Sequence, residues 1–262
     1  MIETAAAAVS SINPGLIAAG FAVLVLAGMV KGVIGMGLPT VGIGLLSVFL
    51  APPDAAALLI LPATVTNFWQ YFTGPNILPI ARRFFWMMVM VAAGTLVGGL
   101  LLGGLASPAA QPVLGATLLA YAALGLSSVQ LKVPVRHEPW LSPVMGFLTG
   151  LVTGTTGVSV MPSAPYLQSL GLARDDLVQA LGLTFIVSTT ALAVVLFHPG
   201  DGGGALADPA TALASAAALL PAFIGMQLGA MVRRAASPQM FRRIFFSGLG
   251  LLGTYMLVRG LI

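Results

Sequence analysis

The fold is decided by a glycine-rich stretch that the chain carries twice, as GMVKGVIGMGLP over residues 28–39 and as GFLTGLVTGTTGVSVMP over residues 146–162. In each copy, glycines and a proline interrupt an apolar segment, and polar side chains follow in the next apolar segment. Interruptions at corresponding points of two halves are typical of the broken helices that form binding sites in membrane transporters. The pattern predicts a membrane carrier built from two repeats.

The composition excludes a soluble protein. Hydrophobic residues make up 58% of the 262 residues, and charged residues make up only 7%. A soluble domain carries about 25% charged residues, so most of this surface cannot face water. We therefore predict one integral membrane domain over residues 1–262. The absence of cysteine excludes disulfides, thiolate metal sites and cysteine nucleophiles.

The apolar segments are separated by short stretches rich in proline, glycine and charged residues. The segments cover residues 14–34, 36–51, 55–73, 84–106, 112–131, 141–156, 158–171, 176–197, 208–231 and 244–261. A helix needs about 20 apolar residues to cross the hydrocarbon core, which gives eight to ten crossings. Segments 36–51 and 158–171 are short and rich in glycine or proline, so they are expected to be half-helices or re-entrant arms.

The basic residues orient these segments. Eight of the eleven Lys and Arg residues lie in three loops, which contain Arg82 and Arg83, Lys132 and Arg136, and Arg233, Arg234, Arg242 and Arg243. The excess of Lys and Arg places all three loops in the cytoplasm. Residues 1–13 and the loop over residues 198–208 lack Lys and Arg, so both are expected outside. These positions agree if each half crosses an odd number of times, which inverts the second half and leaves both termini outside.

Further matches support a duplication. Gly94 and Gly98 correspond to Gly225 and Gly229, and a Ser-Pro pair follows in each half, at residues 107–108 and 237–238. The predicted repeats cover residues 14–131 and 140–261. The expected fold is an all-α integral membrane protein, a polytopic helical bundle of two inverted-topology repeats with broken or re-entrant helices. Most basic residues lie in loops and form no basic stripe, which argues against a nucleic-acid partner.

Both breaks are candidate binding elements for a small anion. A helix that restarts after a break presents unpaired N–H groups and the positive end of its dipole. Close packing of helices through small residues is the alternative role, but two breaks at matching places favour a site. The candidate positions are Gly35, Gly37 and Pro39 in the first copy, and Thr153, Thr155, Thr156 and Gly157 in the second.

Lys31 is the basic residue inside the apolar run that leads to the first break. A charge at the bilayer centre costs at least about 2.5 kcal/mol, so such residues usually serve function. Lys31 would neutralise a bound anion. The alternative is an ammonium that extends into the headgroups from the cytoplasmic end of its helix.

Two amides in the next apolar segment complete the candidate site. Asn67 and Gln70 are close to one turn apart, which places them on one helical face, and Gln179 is their counterpart in the second half. Hydroxyl side chains accompany these amides, at Thr64 and Thr66 in the first half and at Thr184, Ser188, Thr189 and Thr190 in the second. Amides hydrogen-bond an oxyanion without adding a permanent charge, which suits a ligand that must also leave. Hydrogen bonding between helices is the alternative role.

The sequence argues against an enzyme, a cofactor and a metal site. No Asp or Glu falls in the middle of an apolar run, and both histidines, His137 and His198, lie in loops beside proline. A serine nucleophile would need an activating base, and none is evident. A buried carboxylate proton relay is not expected, although protons remain a candidate coupling ion through the substrate. A channel is the closer alternative, because broken helices also line pores.

At the two breaks the chain resembles the sulfite exporter TauE/SafE family of membrane permeases. The resemblance rests on KGVIGMGLP, followed by LAPPDAA and TN, and on GLVTGTTGVSVMP, followed by LGLARDDLVQA. The closing stretch FRRIFFSGLGLL also fits, so the likeness covers roughly residues 14–260. The family's triple glycine is replaced by residues 36–38 (MGL) in one copy and residues 155–157 (TTG) in the other.

The resemblance implies a multi-pass protein of the bacterial inner membrane. It implies transport of small sulfur-containing anions such as sulfite, sulfoacetate or other sulfonates, in the direction of export and with the proton gradient as a possible driving force. A carrier or an anion-selective channel for another small anion, such as a carboxylate, is the alternative function.

Overall fold

The chain folds as helices that occur in the same order twice. The computed structural model describes residues 14–127, 132–198, 205–235 and 238–261, and within these ranges the regular structure is entirely helical. The first half contains α1 (Pro14–Ile34), α2 (Leu38–Leu46), α3 (Pro52–Phe72), α4 (Ile77–Arg83), α5 (Phe85–Leu96) and α6 (Ala110–Leu126). The second half contains α7 (Glu138–Thr156), α8 (Ser163–Ser169), α9 (Arg174–Phe197), α10 (Pro209–Ala217), α11 (Leu219–Ala235) and α12 (Pro238–Leu261). The predicted all-α fold is confirmed.

Each half follows one plan. A long helix ends at a glycine-containing break, a short helix follows, and then come a second long helix, a divided helix and a final helix. The order of elements therefore supports the duplication that the two glycine-rich stretches suggest. The exact limits of the repeats, 14–131 and 140–261, stay a prediction, and residues 128–131 lie outside the described residues.

The packing of the final helices shows that the halves are inverted. Pro112 near the start of α6 lies against Gly260 near the end of α12, while Gly125 near the end of α6 lies against Phe246 early in α12. These two equivalent helices thus run antiparallel. Equivalent helices run in opposite directions when the halves are related by a two-fold axis in the membrane plane, as the predicted inverted topology requires.

The two halves pack closely against each other through glycines. Helix α1 packs on α11, and α7 packs on α5, so the first helix of each half lies against the divided helix of the other. A Cβ atom at Gly28 would lie 2.2 Å from the carbonyl oxygen of Ala222, and one at Gly146 would lie 2.4 Å from that of Met87. The backbones are therefore in contact, as small residues allow in membrane bundles.

Length and apolarity identify membrane spans among the described residues. Three stretches are long and apolar enough to cross on their own, at Pro14–Ile34, Arg174–Phe197 and Pro209–Val232. A fourth span arises if α4 and the continuous helix Phe85–Leu101, which meet at 66°, are counted as one. The count of eight to ten crossings stays a prediction, because it requires the remaining shorter and more polar helices to span as well.

Two boundaries differ from those expected. Residues 77–83 were expected to be part of a separator, but they form helix α4. The last helix was expected to begin at residue 244, yet it begins at Pro238, so Arg242 lies within α12 and donates to the carbonyl oxygens of Gly125 and Ser127. Proline is favoured at the first position of a helix, and the arginine satisfies free carbonyls at the end of α6.

Candidate functional site

The two glycine-rich stretches do interrupt helices. After α1 ends, Gly35 and Gly37 adopt φ angles of +83° and +99°, and α2 begins at the next residue. In the second half, Gly157 ends α7 with a φ angle of +75°. Glycine reaches these left-handed conformations without the steric cost that a side chain would add, so these three positions set the breaks.

Lys31 is buried beside the first break, with only 4% of its surface exposed. Its ammonium donates a hydrogen bond of 2.9 Å to the hydroxyl oxygen of Thr66 and another to the side-chain oxygen of Asn67. Both partners lie on α3. The ammonium is thus directed into the protein and not towards the headgroups.

Within the described part of the chain, the Lys31 ammonium has no carboxylate partner. Among the described residues the only ion pair is that of Arg83 and Glu138, with 2.6 Å between Nε and Oε1. Burying a charge is costly unless it is paired and hydrogen-bonded. The neutral oxygens of Thr66 and Asn67 stabilise the ammonium, but they leave its charge uncompensated.

A proline interrupts the backbone hydrogen bonds of α3 one turn before these two acceptors. Pro62 has no N–H group, so it cannot bond the carbonyl of Leu58. The hydroxyl of Ser215 on α10 donates to that carbonyl at 3.0 Å and accepts from the N–H of Leu61 at 3.2 Å. One turn later the hydroxyl of Thr66 donates to the carbonyl of Pro62 at 2.7 Å. Its proton is therefore directed away from Lys31 and its lone pairs remain for the ammonium.

Asn67 also reaches the second half. Its amide nitrogen lies 3.5 Å from the hydroxyl oxygen of Thr189 on α9. One turn later along α3, Tyr71 packs against Gly182, which lies earlier in α9 than Thr189. Helices α3 and α9 therefore run antiparallel. The cluster of Lys31, Thr66, Asn67 and Thr189, called here the lysine cluster, thus lies where the second long helices of the two halves meet.

The structure does not bring the two predicted glutamines to the lysine cluster. Gln70 donates to the carbonyl of Val178 at 2.9 Å. Gln179 donates to the carbonyl of Tyr71 at 2.9 Å and accepts from the N–H of Asn76 at 3.0 Å. Both amides bond backbone groups and link α3 with α9, so a role in ligand binding stays a prediction for them.

The hydroxyls of the second break form hydrogen bonds within their own helix. Thr153, Thr155 and Thr156 each donate to the carbonyl four residues earlier, at 2.6–2.9 Å. A Cβ atom at Gly157 would lie 2.5 Å from the side chain of Ile43 on α2. The second break therefore packs against α2, and no hydrogen bond joins it to the lysine cluster within the described residues.

One polar residue of this region escapes prediction from the sequence, namely Thr40, which is fully buried in α2. Thr66 and Thr189 of the lysine cluster belong to the polar residues that accompany Asn67 and Gln179 in the sequence. Lys31 and Thr66 are 35 residues apart, a pairing that periodicity cannot indicate.

The cluster offers one cation, hydroxyls and an amide. Among the residues that the structure describes, no group of three or more His, Cys, Asp or Glu side chains is arranged to hold a metal ion. The chemistry available at the lysine cluster is recognition of an anion by charge and hydrogen bonds.

Inverted helical halves with glycine breaks and a buried, unpaired cation define a membrane protein of the transporter class. The chain belongs to the sulfite exporter TauE/SafE family, whose model matches residues 20–256, nearly its whole length. The expected resemblance is confirmed, and the protein is a membrane permease of the sulfite-exporter type. No curated protein and no solved structure was found to match the chain.

Proposed function

We propose that this permease carries a small sulfur oxyanion, such as sulfite or sulfoacetate, out of the cell across the inner membrane by alternating access. The buried Lys31 ammonium is the observation that carries the proposal, because its described partners are neutral. A bound anion would supply the missing counter-charge. The same ammonium would select against cations.

Open space adjoins the first break. A Cβ atom at Gly35 would meet no atom within 4 Å, and Gly35 lies one turn after Lys31, with its N–H bonded to the carbonyl of Lys31 at 2.7 Å. The proposed site comprises Lys31, Asn67 and the backbone around Gly35, Gly37 and Pro39. The second break supports it by holding α2.

The packing suggests which parts move together. The pairs α1–α11 and α5–α7 approach at backbone distance, so each pair would move as one body. The lysine cluster lies at the meeting of α3 with α9. Rocking of one such pair against the other around this cluster would expose it to each side in turn. Coupling to protons would act through the anion's own protonation.

Counterflow in proteoliposomes tests this function. Vesicles loaded with sulfite, sulfoacetate, thiosulfate or acetate are assayed one by one for uptake of the labelled anion. Saturable exchange of a sulfur oxyanion supports the proposal, and exchange of acetate alone would assign a carboxylate carrier. Conductance without counterflow would indicate a channel. Lys31→Met should abolish exchange, whereas Thr149→Val, at the equivalent place in the second half, should not.

The proposed orientation, with both termini outside, has a direct test because the chain contains no cysteine. Arg136 and Ala207 are both exposed, so each accepts a single reporter cysteine. An impermeant thiol reagent should label Ala207→Cys in intact cells and Arg136→Cys only after permeabilisation. The reverse pattern would invert the topology.

A further inference from the structure

Two buried hydroxyls have no hydrogen-bond partner among the described residues, those of Thr40 and Ser47. Thr40 is fully buried. Other buried threonines donate to the carbonyl four residues earlier, as Thr95 does at 2.8 Å and Thr184 at 2.8 Å. An unpaired buried hydroxyl is costly, so a missing partner at Thr40 requires an explanation.

Thr40 lies in the first turn of α2. The residue that precedes this helix is Gly37, which has no side chain to cap it. The first N–H groups of a helix have no acceptor within the helix, and here Val41 is the first to bond backward, to the carbonyl of Gly37 at 2.9 Å. The Cα–Cβ bond of a helical residue tilts towards the helix N-terminus, so the side chain of Thr40 leans towards these free N–H groups.

The same break adjoins Lys31. The side chain of Val30 lies 3.3 Å from where a Cβ of Gly37 would stand, and the space beside Gly35 is open. The end of α1, which carries Lys31, and the first turn of α2 therefore adjoin one break. An anion bound there would meet the positive dipole end of α2, close to the helix that carries the lysine.

We propose that the hydroxyl of Thr40 and the N–H groups of Leu38 and Thr40 form a second oxyanion subsite, at the same break as Lys31. This inference rests on the proposed function and narrows its ligand. An anion that bonds Lys31 and α2 together needs acceptor oxygens on two sides. The site would therefore prefer an oxyanion such as sulfite over a halide.

The chain supplies two matched controls. Ser163 follows Pro162 in the second break as Thr40 follows Pro39 in the first, but its hydroxyl already donates to the carbonyl of Ser159 at 2.7 Å. Ser47 is as unpaired as Thr40, yet it lies two turns away, about 10 Å along the helix axis. A small anion bound at the start of α2 cannot reach it.

The experiment measures sulfite affinity and thermal stability of the purified full chain in detergent. Thr40→Val should weaken sulfite binding about tenfold while the melting temperature stays equal or rises, because the hydroxyl has no bond to lose. Thr40→Ser should keep the wild-type affinity. Ser47→Ala and Ser163→Ala should bind as the wild type does. The preference for sulfite over chloride should shrink only in Thr40→Val.

The outcomes separate this inference from the function on which it rests. Unchanged sulfite affinity in Thr40→Val, with binding lost in Lys31→Met, would overturn the Thr40 subsite alone. Equal loss in Ser47→Ala would also overturn it, since both hydroxyls would then act through packing. A wild-type protein that binds none of the sulfur oxyanions would overturn the proposed function and the subsite with it. If Thr40→Val does not fold, a loss of affinity in the folded Thr40→Ser variant would count against the subsite.

Discussion

The two glycine-rich breaks share a plan but differ in how far their polar groups are satisfied. Among the described residues, a buried ammonium at the first break has no counter-charge and a buried hydroxyl has no partner, and space adjoins Gly35. At the second break Thr153 and Thr156 bond their own helix, and a Cβ at Gly157 would meet Ile43. Polar groups of the first break thus keep unmet bonding capacity, whereas these hydroxyls of the second break are bonded within their helix.

Equivalent positions of the two breaks carry side chains of different chemistry. Lys31 corresponds to Thr149, whose hydroxyl donates to the carbonyl of Met145 at 2.7 Å. The glycines on either side of these positions serve the same packing in both halves. The two breaks therefore share their packing contacts, while Lys31 gives the first break a cation that Thr149 does not give the second.

The largest expected effects concern that shared packing. Gly28→Ala and Gly146→Ala should each lower the free energy of unfolding by about 3 kcal/mol, because the added methyl group would lie 2.2–2.4 Å from a backbone oxygen and the helices would have to separate. Gly20→Ala, which meets no atom within 4 Å, is the matched control and should be neutral or stabilising. Denaturation in detergent measures all three. A large effect in only one half would break the proposed equivalence.

A smaller effect is expected at the acceptor of the lysine. Asn67→Leu should destabilise the protein by about 2 kcal/mol, since it removes a hydrogen bond to a charged group, and it should weaken sulfite binding about tenfold. Thr189→Val removes only the 3.5 Å contact to Asn67, and its effect on affinity should be slight. Titration of sulfite into each variant measures the two affinities. Equal effects of the two changes would mean that Asn67 acts between the halves and not on Lys31.

The smallest expected effect concerns Pro62, an internal proline that α3 contains and its equivalent helix α9 lacks. Ser215→Ala should cost about 1 kcal/mol of stability, because it leaves the carbonyl of Leu58 without a donor. In a Pro62→Ala background the restored N–H bonds that carbonyl, so the same change should cost almost nothing. A double-mutant cycle in detergent measures the difference. Additive effects would show that Ser215 does not compensate for Pro62.

Much of the fold could be predicted from the sequence. The glycine breaks and the apolar segments follow from local rules that the structure obeys. Helix α4 could not be predicted, because seven residues with a proline and two arginines are typical of a loop. At the site, periodicity placed Asn67 and Gln70 on one face, but it could not show that Gln70 bonds the carbonyl of Val178, since that partner is 108 residues away.

The burial of Lys31 is the part that sequence alone left undecided. A lysine near a helix end is compatible with a headgroup contact or with a buried site. The position of α3 decides between them, because Thr66 and Asn67 of that helix accept hydrogen bonds from the ammonium. That no carboxylate of the described residues pairs with Lys31 also follows only from how the helices are assembled.

The most direct test of the central claim is the affinity of the purified protein for sulfite, compared between the wild type and Lys31→Met. We expect the wild type to bind sulfite saturably and the variant to bind it about 100-fold or more weakly, since the anion would lose its buried counter-charge. The melting temperature without ligand should be unchanged or higher, because an unpaired buried charge has been removed. A folded Lys31→Met protein that binds sulfite as tightly as the wild type would contradict the claim.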